Sequence, residues 1–135
     1  MTRRGGCLCG AVRYETEAAL RDVVACHCGQ CRRSSGHHVA ATGAPREAVR
    51  IEGETLRWFE SSPGHRRGFC GVCGSNLFWS RDASPFLAIF AGTLDAPTGL
   101  RLTGHIYVAD KGDYYHLADG LPQAAGRDPS LTAGT

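Results

Sequence analysis

The stretch FCGVCGS, residues Phe69–Ser75, places a C-x-x-C pair and a following glycine between two strand-like segments, Arg66–Phe69 and Asn76–Ser80. A turn of this kind aims two sulfurs at one ion, and the glycine relieves crowding where backbone N–H groups approach the thiolates. The competing use of C-x-x-C is a redox dithiol, but that motif opens a helix after a strand in a βαβ unit. The strand–turn–strand setting favours metal.

Two sulfurs do not close a structural site, which needs four ligands. Five more cysteines are available, as Cys7 and Cys9 and as Cys26, Cys28 and Cys31. The last three fall within six residues and suffice to hold an ion alone. The economical partition is a four-sulfur site (Cys7, Cys9, Cys70, Cys73) and a three-sulfur site (Cys26, Cys28, Cys31), although spacing permits others. The count separates structure from chemistry. Four thiolates fill a tetrahedron and leave zinc inert, whereas three leave one position for water or substrate. A zinc ion with three thiolates has a net charge of about −1 and polarises a carbonyl poorly, yet it deprotonates a coordinated thiol. Such a centre suits making or breaking a carbon–sulfur bond better than hydrolysis. The alternative is a tetrahedron closed by His27, His37, His38 or another residue. His27 lies between two ligands of an extended C-x-C segment, where its side chain should point away from the sulfurs.

Seven cysteines cannot all pair within one chain. The N-terminal MTRRGGCLCG has no apolar run of signal-peptide length, and no stretch approaches the ~20 apolar residues of a membrane span. The expectation is a cytoplasmic protein with reduced thiols that bind metal, and with no membrane partner. Ile, Leu, Val and Phe make up only about a fifth of the 135 residues, so the core is thin and metal is its natural reinforcement. A net charge of +2 argues against disorder. With seven thiolates around two divalent ions it becomes about −1, so nucleic acid is not an expected partner. The cations are fourteen arginines and Lys111, with pairs at Arg3/Arg4, Arg32/Arg33 and Arg66/Arg67. Paired arginines can grip a carboxylate with two parallel hydrogen bonds.

Frequent glycines and prolines between short apolar runs predict strands joined by turns. The expected strands are 11–16, 22–27, 38–42, 48–52, 56–61, 66–69, 76–80, 86–90, 104–108 and 114–117. A single helical turn is expected at Gly29–Ser35. Residues 1–122 read as one zinc-binding domain, and 123–135, poor in large apolar residues, as a flexible tail.

Five blocks in order, GGCLCGAVRYE (5–15), CHCGQCRRSSG (26–36), GFCGVCGSNLFW (68–79), AGTLDAP (91–97) and HIYVADKGDYYHLADGLPQ (105–123), resemble the glutathione-dependent formaldehyde-activating enzyme family, which includes centromere protein V. The resemblance implies a mainly β fold of twisted antiparallel sheets, the zinc-ribbon-related β-tent, with two zinc ions per chain. It assigns Cys7, Cys9, Cys70 and Cys73 to a structural zinc and Cys26, Cys28 and Cys31 to a catalytic one. It also implies a carbon–sulfur lyase that joins formaldehyde to the sulfur of glutathione to give S-(hydroxymethyl)glutathione.

On this basis a thiol such as glutathione occupies the open position and its sulfur attacks a small aldehyde held beside it. His38 is the leading proton donor, with His37 and His105 as others. Arg32, Arg33, Arg66 and Lys111 are candidate clamps for the thiol's carboxylates. Trp58, Phe59, Phe78 and Trp79 are expected in the core. A non-catalytic zinc-stabilised binding module of the centromere protein V type is the alternative function, disfavoured by the lack of a basic arm. A sulfoxide-reductase-like activity would need a nucleophilic cysteine late in the chain, and no cysteine follows Cys73. An iron–sulfur cluster would colour the protein.

Overall fold

A computed structural model describes residues 1–134. In chain order its elements are β1 (Arg3–Gly6), β2 (Arg13–Thr16), β3 (Val23–Cys26), α1 (Gly29–Ser35), β4 (Val39–Pro45), β5 (Val49–Glu52), β6 (Leu56–Ser62), β7 (His65–Cys70), β8 (Asn76–Arg81), β9 (Phe86–Phe90), β10 (Leu102–Ile106) and α2 (Pro129–Thr132). The strands form a small sheet in the order β1-β2-β5 and a seven-stranded sheet in the order β10-β3-β4-β9-β8-β7-β6. Every strand pair is antiparallel except β3–β10. The fold is mainly β, as expected, with one parallel pair that the alternation pattern did not indicate.

Leu77 and Phe78 of β8 and Leu87 and Ile89 of β9 lie in the middle of the large sheet and are almost wholly buried. Val12, Tyr14 and Val49 from around the small sheet pack on them. Burying side chains of this size contributes about 1.5–3 kcal/mol each. Phe78 joins this core as expected, but Trp58 and Phe59 do not. They lie on β6, the edge of the large sheet, and remain 42% and 62% exposed.

Strand β1 has no apolar signature, because its sequence is RRGG. Its pairing instead requires close approach. A Cβ on Gly5 would sit 2.3 Å from the Tyr14 hydroxyl and 2.4 Å from the Thr93 carbonyl oxygen. The expected strand at 114–117 is absent. Its aromatic rings pack against His27 and His37, and Lys111 Nζ takes the carbonyls of Gly112 and Tyr115.

The segment expected to fray from Gln123 is tied to β10 by backbone hydrogen bonds rather than by apolar bulk. Gln123 bridges His105, Ala124 N donates to His105 O at 2.9 Å, and Val108 N donates to Ala124 O at 3.0 Å. Asp128 caps α2 through Ser130 N, and Leu131 fills the space that the missing side chain of Gly104 leaves. Of the expected tail, Thr135 lies outside the described residues.

Candidate active site and metal centres

Cys7 and Cys9 precede β2, while Cys70 ends β7 and Cys73 follows one turn later. Gly74, at φ 78°, reverses the chain and donates its N–H to Cys70 O at 2.8 Å, closing the knuckle into β8. The four sulfurs converge to within 4.8 Å of one another, with Cys7–Cys9 at 3.6 Å and Cys9–Cys70 at 3.8 Å. Tetrahedral Zn–S bonds of about 2.3 Å place sulfurs about 3.8 Å apart, so the donor set fits zinc. Thiolate character is supported from outside the cluster. Val12 N donates to Cys7 Sγ, and Val72 N and the Thr55 hydroxyl donate to Cys70 Sγ. The Ser75 hydroxyl bonds Cys73 Sγ and holds that thiol down at about 5, while accepting from Leu8 N across the loops.

The second cluster is built where β3 hands over to α1. Cys26 ends the strand, Cys28 is the helix N-cap and Cys31 lies in its first turn, with Cys31 N donating to Cys28 Sγ at 3.3 Å. Strand end and helix start therefore aim all three sulfurs at one point, again within 4.8 Å of one another. Among the described residues no fourth His, Cys, Asp or Glu donor shares that point. Hydrogen bonds from the Cys26 and Cys31 thiols push the Cys28 thiol far down, and the same contact with Cys28 pushes Cys26 up. The three sulfurs form a donor set that could hold a cation.

This cluster borders a cavity of about 630 Å³ on one face of the large sheet. Trp79 and Phe90 supply aromatic walls, Gln30 and Arg67 lie beside Cys31, and Arg127, Asp128 and Thr132 bring the C-terminal segment over it. Arg21 and Arg81 add positive charge.

Residues 2–110 match the family model described as glutathione-dependent formaldehyde-activating enzyme. The chain belongs to this family. It is 25% identical over 117 residues to an uncharacterised lyase of Schizosaccharomyces pombe, covering 85% of each chain. It is also similar to a crystal structure of a Rhodobacter sphaeroides protein, with a TM-score of 0.59 and 26% identity over 74% of this chain and 99% of that one. Both cysteine clusters fall inside the family match, whereas Arg127, Asp128 and Thr132 of the cavity wall lie beyond it.

In this family member the residues expected around the second cluster are dispersed. Cys26, Cys28 and Cys31 line the cavity, but Arg32, Arg33, Arg66, Lys111 and His38 do not. Arg66 pairs with Asp82 at 2.6 Å on the surface, Arg33 is exposed, and Lys111 is consumed by backbone carbonyls. His38 packs between His27 and His37 with its ring tilted to both, its Nδ1 is buried and unpartnered, and burial pushes its pKa down. Trp79, expected in the core, faces the cavity instead. Arg67, Arg21, Arg81 and Arg127 replace the expected clamps as the cations at hand.

His27 points away from the sulfurs, as its position between two ligands predicts. It is fully buried in a chain of hydrogen bonds. The Asp119 carboxylate accepts from His105 Nε2 at 2.7 Å, His105 Nδ1 accepts from His27 Nε2 at 2.9 Å, and His27 Nδ1 accepts from the Tyr115 hydroxyl. Burial, followed by the fields of His38 and His105, holds His27 down at about 4, so it is neutral at pH 7 and fits these tautomer assignments. Tyr115 and Asp119 lie in the 105–123 block that carries the family resemblance, but only the fold brings them to two histidines.

Proposed function

We propose that this protein is a zinc-dependent carbon–sulfur lyase that joins a small thiol such as glutathione to a small aldehyde such as formaldehyde, and cleaves the same adduct in reverse. The observation behind this is a three-sulfur cluster, without a fourth protein donor among the described residues, at the edge of a cavity. A closed tetrahedron would have favoured a zinc-stabilised binding module. We assign zinc to both clusters, two ions per chain, on the chemistry of their all-thiolate donor sets.

Zinc bound by Cys26, Cys28 and Cys31 supplies a position at which a thiol is held deprotonated at neutral pH. The chain does the rest. Trp79 and Phe90 present apolar walls to the same cavity, and electrostatic interactions strengthen there once a substrate displaces its water. Arg21, Arg81 and Arg127 give the cavity positive charge suited to a thiol carrying carboxylates, and Asp110 and Asp128 suit an ammonium group on the same molecule. Holding thiol and aldehyde together removes the entropic cost of their encounter, a gain of up to about 7–11 kcal/mol in well-aligned cases. A reducing, cytoplasmic setting would keep all seven thiols available.

The Cys28→Ser variant tests this directly. Thiol-plus-aldehyde exchange followed by NMR should fall at least a hundredfold, and zinc content should drop from two ions to one per chain. Full turnover in Cys28→Ser would exclude the three-sulfur cluster as the reaction centre.

A further inference from the structure

Arg67 is the one arginine lining the cavity whose residue is more than nine-tenths buried, at 8% exposure. It projects from β7 opposite Trp79 of β8. Its Nη2 makes two long contacts, to Gln30 Oε1 at 3.4 Å and to Cys31 Sγ at 3.6 Å. Its Nε and Nη1 are buried without any hydrogen-bond partner. Among the described residues no carboxylate pairs with it, whereas the adjacent Arg66 holds Asp82 at 2.6 Å. A guanidinium held out of water with two of its nitrogens unsatisfied is costly. Two donors left over beside a cluster of sulfurs therefore mark a place for an anion. Gln30 Oε1 and Cys31 Sγ account for Nη2. Nε and Nη1 remain without an acceptor, on opposite edges of the group.

We propose that Arg67 is a catalytic residue that holds the aldehyde oxygen as negative charge builds on it. This rests on the thiol–aldehyde reaction proposed above. In the forward direction the thiol has already released its proton. The sulfur lone pair forms the S–C bond to the carbonyl carbon, and the C=O π pair moves onto oxygen. Arg67 Nη1 donates to that oxygen, which then takes a proton from water to give the hydroxymethyl thioether. The overall change is addition of R–SH across C=O, with no redox partner. In reverse, Arg67 stabilises the same oxyanion as the S–C bond breaks. Preorganised donors aimed at a developing oxyanion act most strongly where water is excluded.

The experiment combines kinetics on Arg67→Gln and Arg67→Lys with formate titration of 15N-arginine-labelled wild type. Formate serves as the probe because it is a one-carbon oxyanion. The Arg67 Nε–H resonance, assigned by its loss in Arg67→Lys, should shift saturably with formate. Formate should compete with the aldehyde and not with the thiol. Arg67→Gln should keep both metal ions and the thiol KM within about twofold, while kcat falls by about 10²–10³. Arg67→Lys should recover part of that loss. A raised thiol KM with unchanged kcat would mean that the guanidinium grips a substrate carboxylate, and would overturn the proposal. So would an Nε–H signal that formate leaves unmoved. Should Arg67→Gln fail to fold, the lysine variant and the wild-type titration still decide. Wild type that shifts with formate yet accelerates no thiol–aldehyde exchange overturns the reaction and leaves the anion site standing. Wild type that turns over, with Arg67→Gln unimpaired, overturns the role of Arg67 alone.

Discussion

Tyr14 shows how one side chain fastens the two sheets. Its ring lies edge-on to Phe78 at 5.2 Å, and its hydroxyl bonds Thr93 Oγ1 at 2.7 Å. Burial pushes its phenol up to about 12, against the partial relief of the Thr93 hydrogen bond. A raised acid pKa means that the unfolded chain ionises first. The stabilising contribution of neutral Tyr14 is therefore complete below pH 10 and is lost as pH rises through about 12, a fall of roughly 2–3 kcal/mol. In an ultraviolet tyrosinate titration of the four tyrosines, Tyr14 should ionise last and together with unfolding, while burial also delays Tyr115. A Tyr14→Phe variant should lose that late step, and four equivalent early titrations in wild type would refute the assignment. At this scale the two groupings of cysteines were legible in the sequence, because cysteine is rare and its spacing is a chemical constraint. Arginine is neither, so the Arg66/Arg67 pair did not reveal which member matters. Strand alternation sends Arg66 to the surface and Arg67 to the cavity, and only the sheet's placement says which face is which.

Elements with an internal signal were found, and those defined by their partners were not. The C-x-C-x-x-C segment gave α1 at its observed bounds, and the aliphatic and aromatic run of β9 gave Phe86–Phe90. Strand β1 exists because glycine lets it lie against Tyr14. The aromatic run at 114–117 is diverted from a sheet by ring contacts with histidines far away in sequence. The C-terminal segment is held by backbone hydrogen bonds, which leave no trace in composition. That segment also roofs the cavity, so ending the chain after Pro122 should raise the thiol KM roughly tenfold while leaving zinc content at two. Kinetics and metal analysis on the truncated protein check this. An unchanged KM would show that Arg127 and Asp128 do not meet the substrate.

Across the whole molecule the two clusters divide the labour that a thin core imposes. The four-sulfur cluster joins the loop before β2 to the β7–β8 knuckle, over the core shared by both sheets, and each of its sulfurs is spent on that closure. The three-sulfur cluster lies at the cavity, where the large sheet, α1 and the C-terminal segment meet. In the function proposed above, stability and chemistry fall to different thiols. Zinc X-ray absorption, without and with added glutathione, probes that division most directly. Without thiol the average zinc should have about 3.5 sulfur and 0.5 lighter ligands, and saturating glutathione should raise this to about four sulfurs in wild type. An average of four sulfurs before any thiol is added, or a first shell that glutathione leaves unchanged, would contradict an open three-sulfur centre.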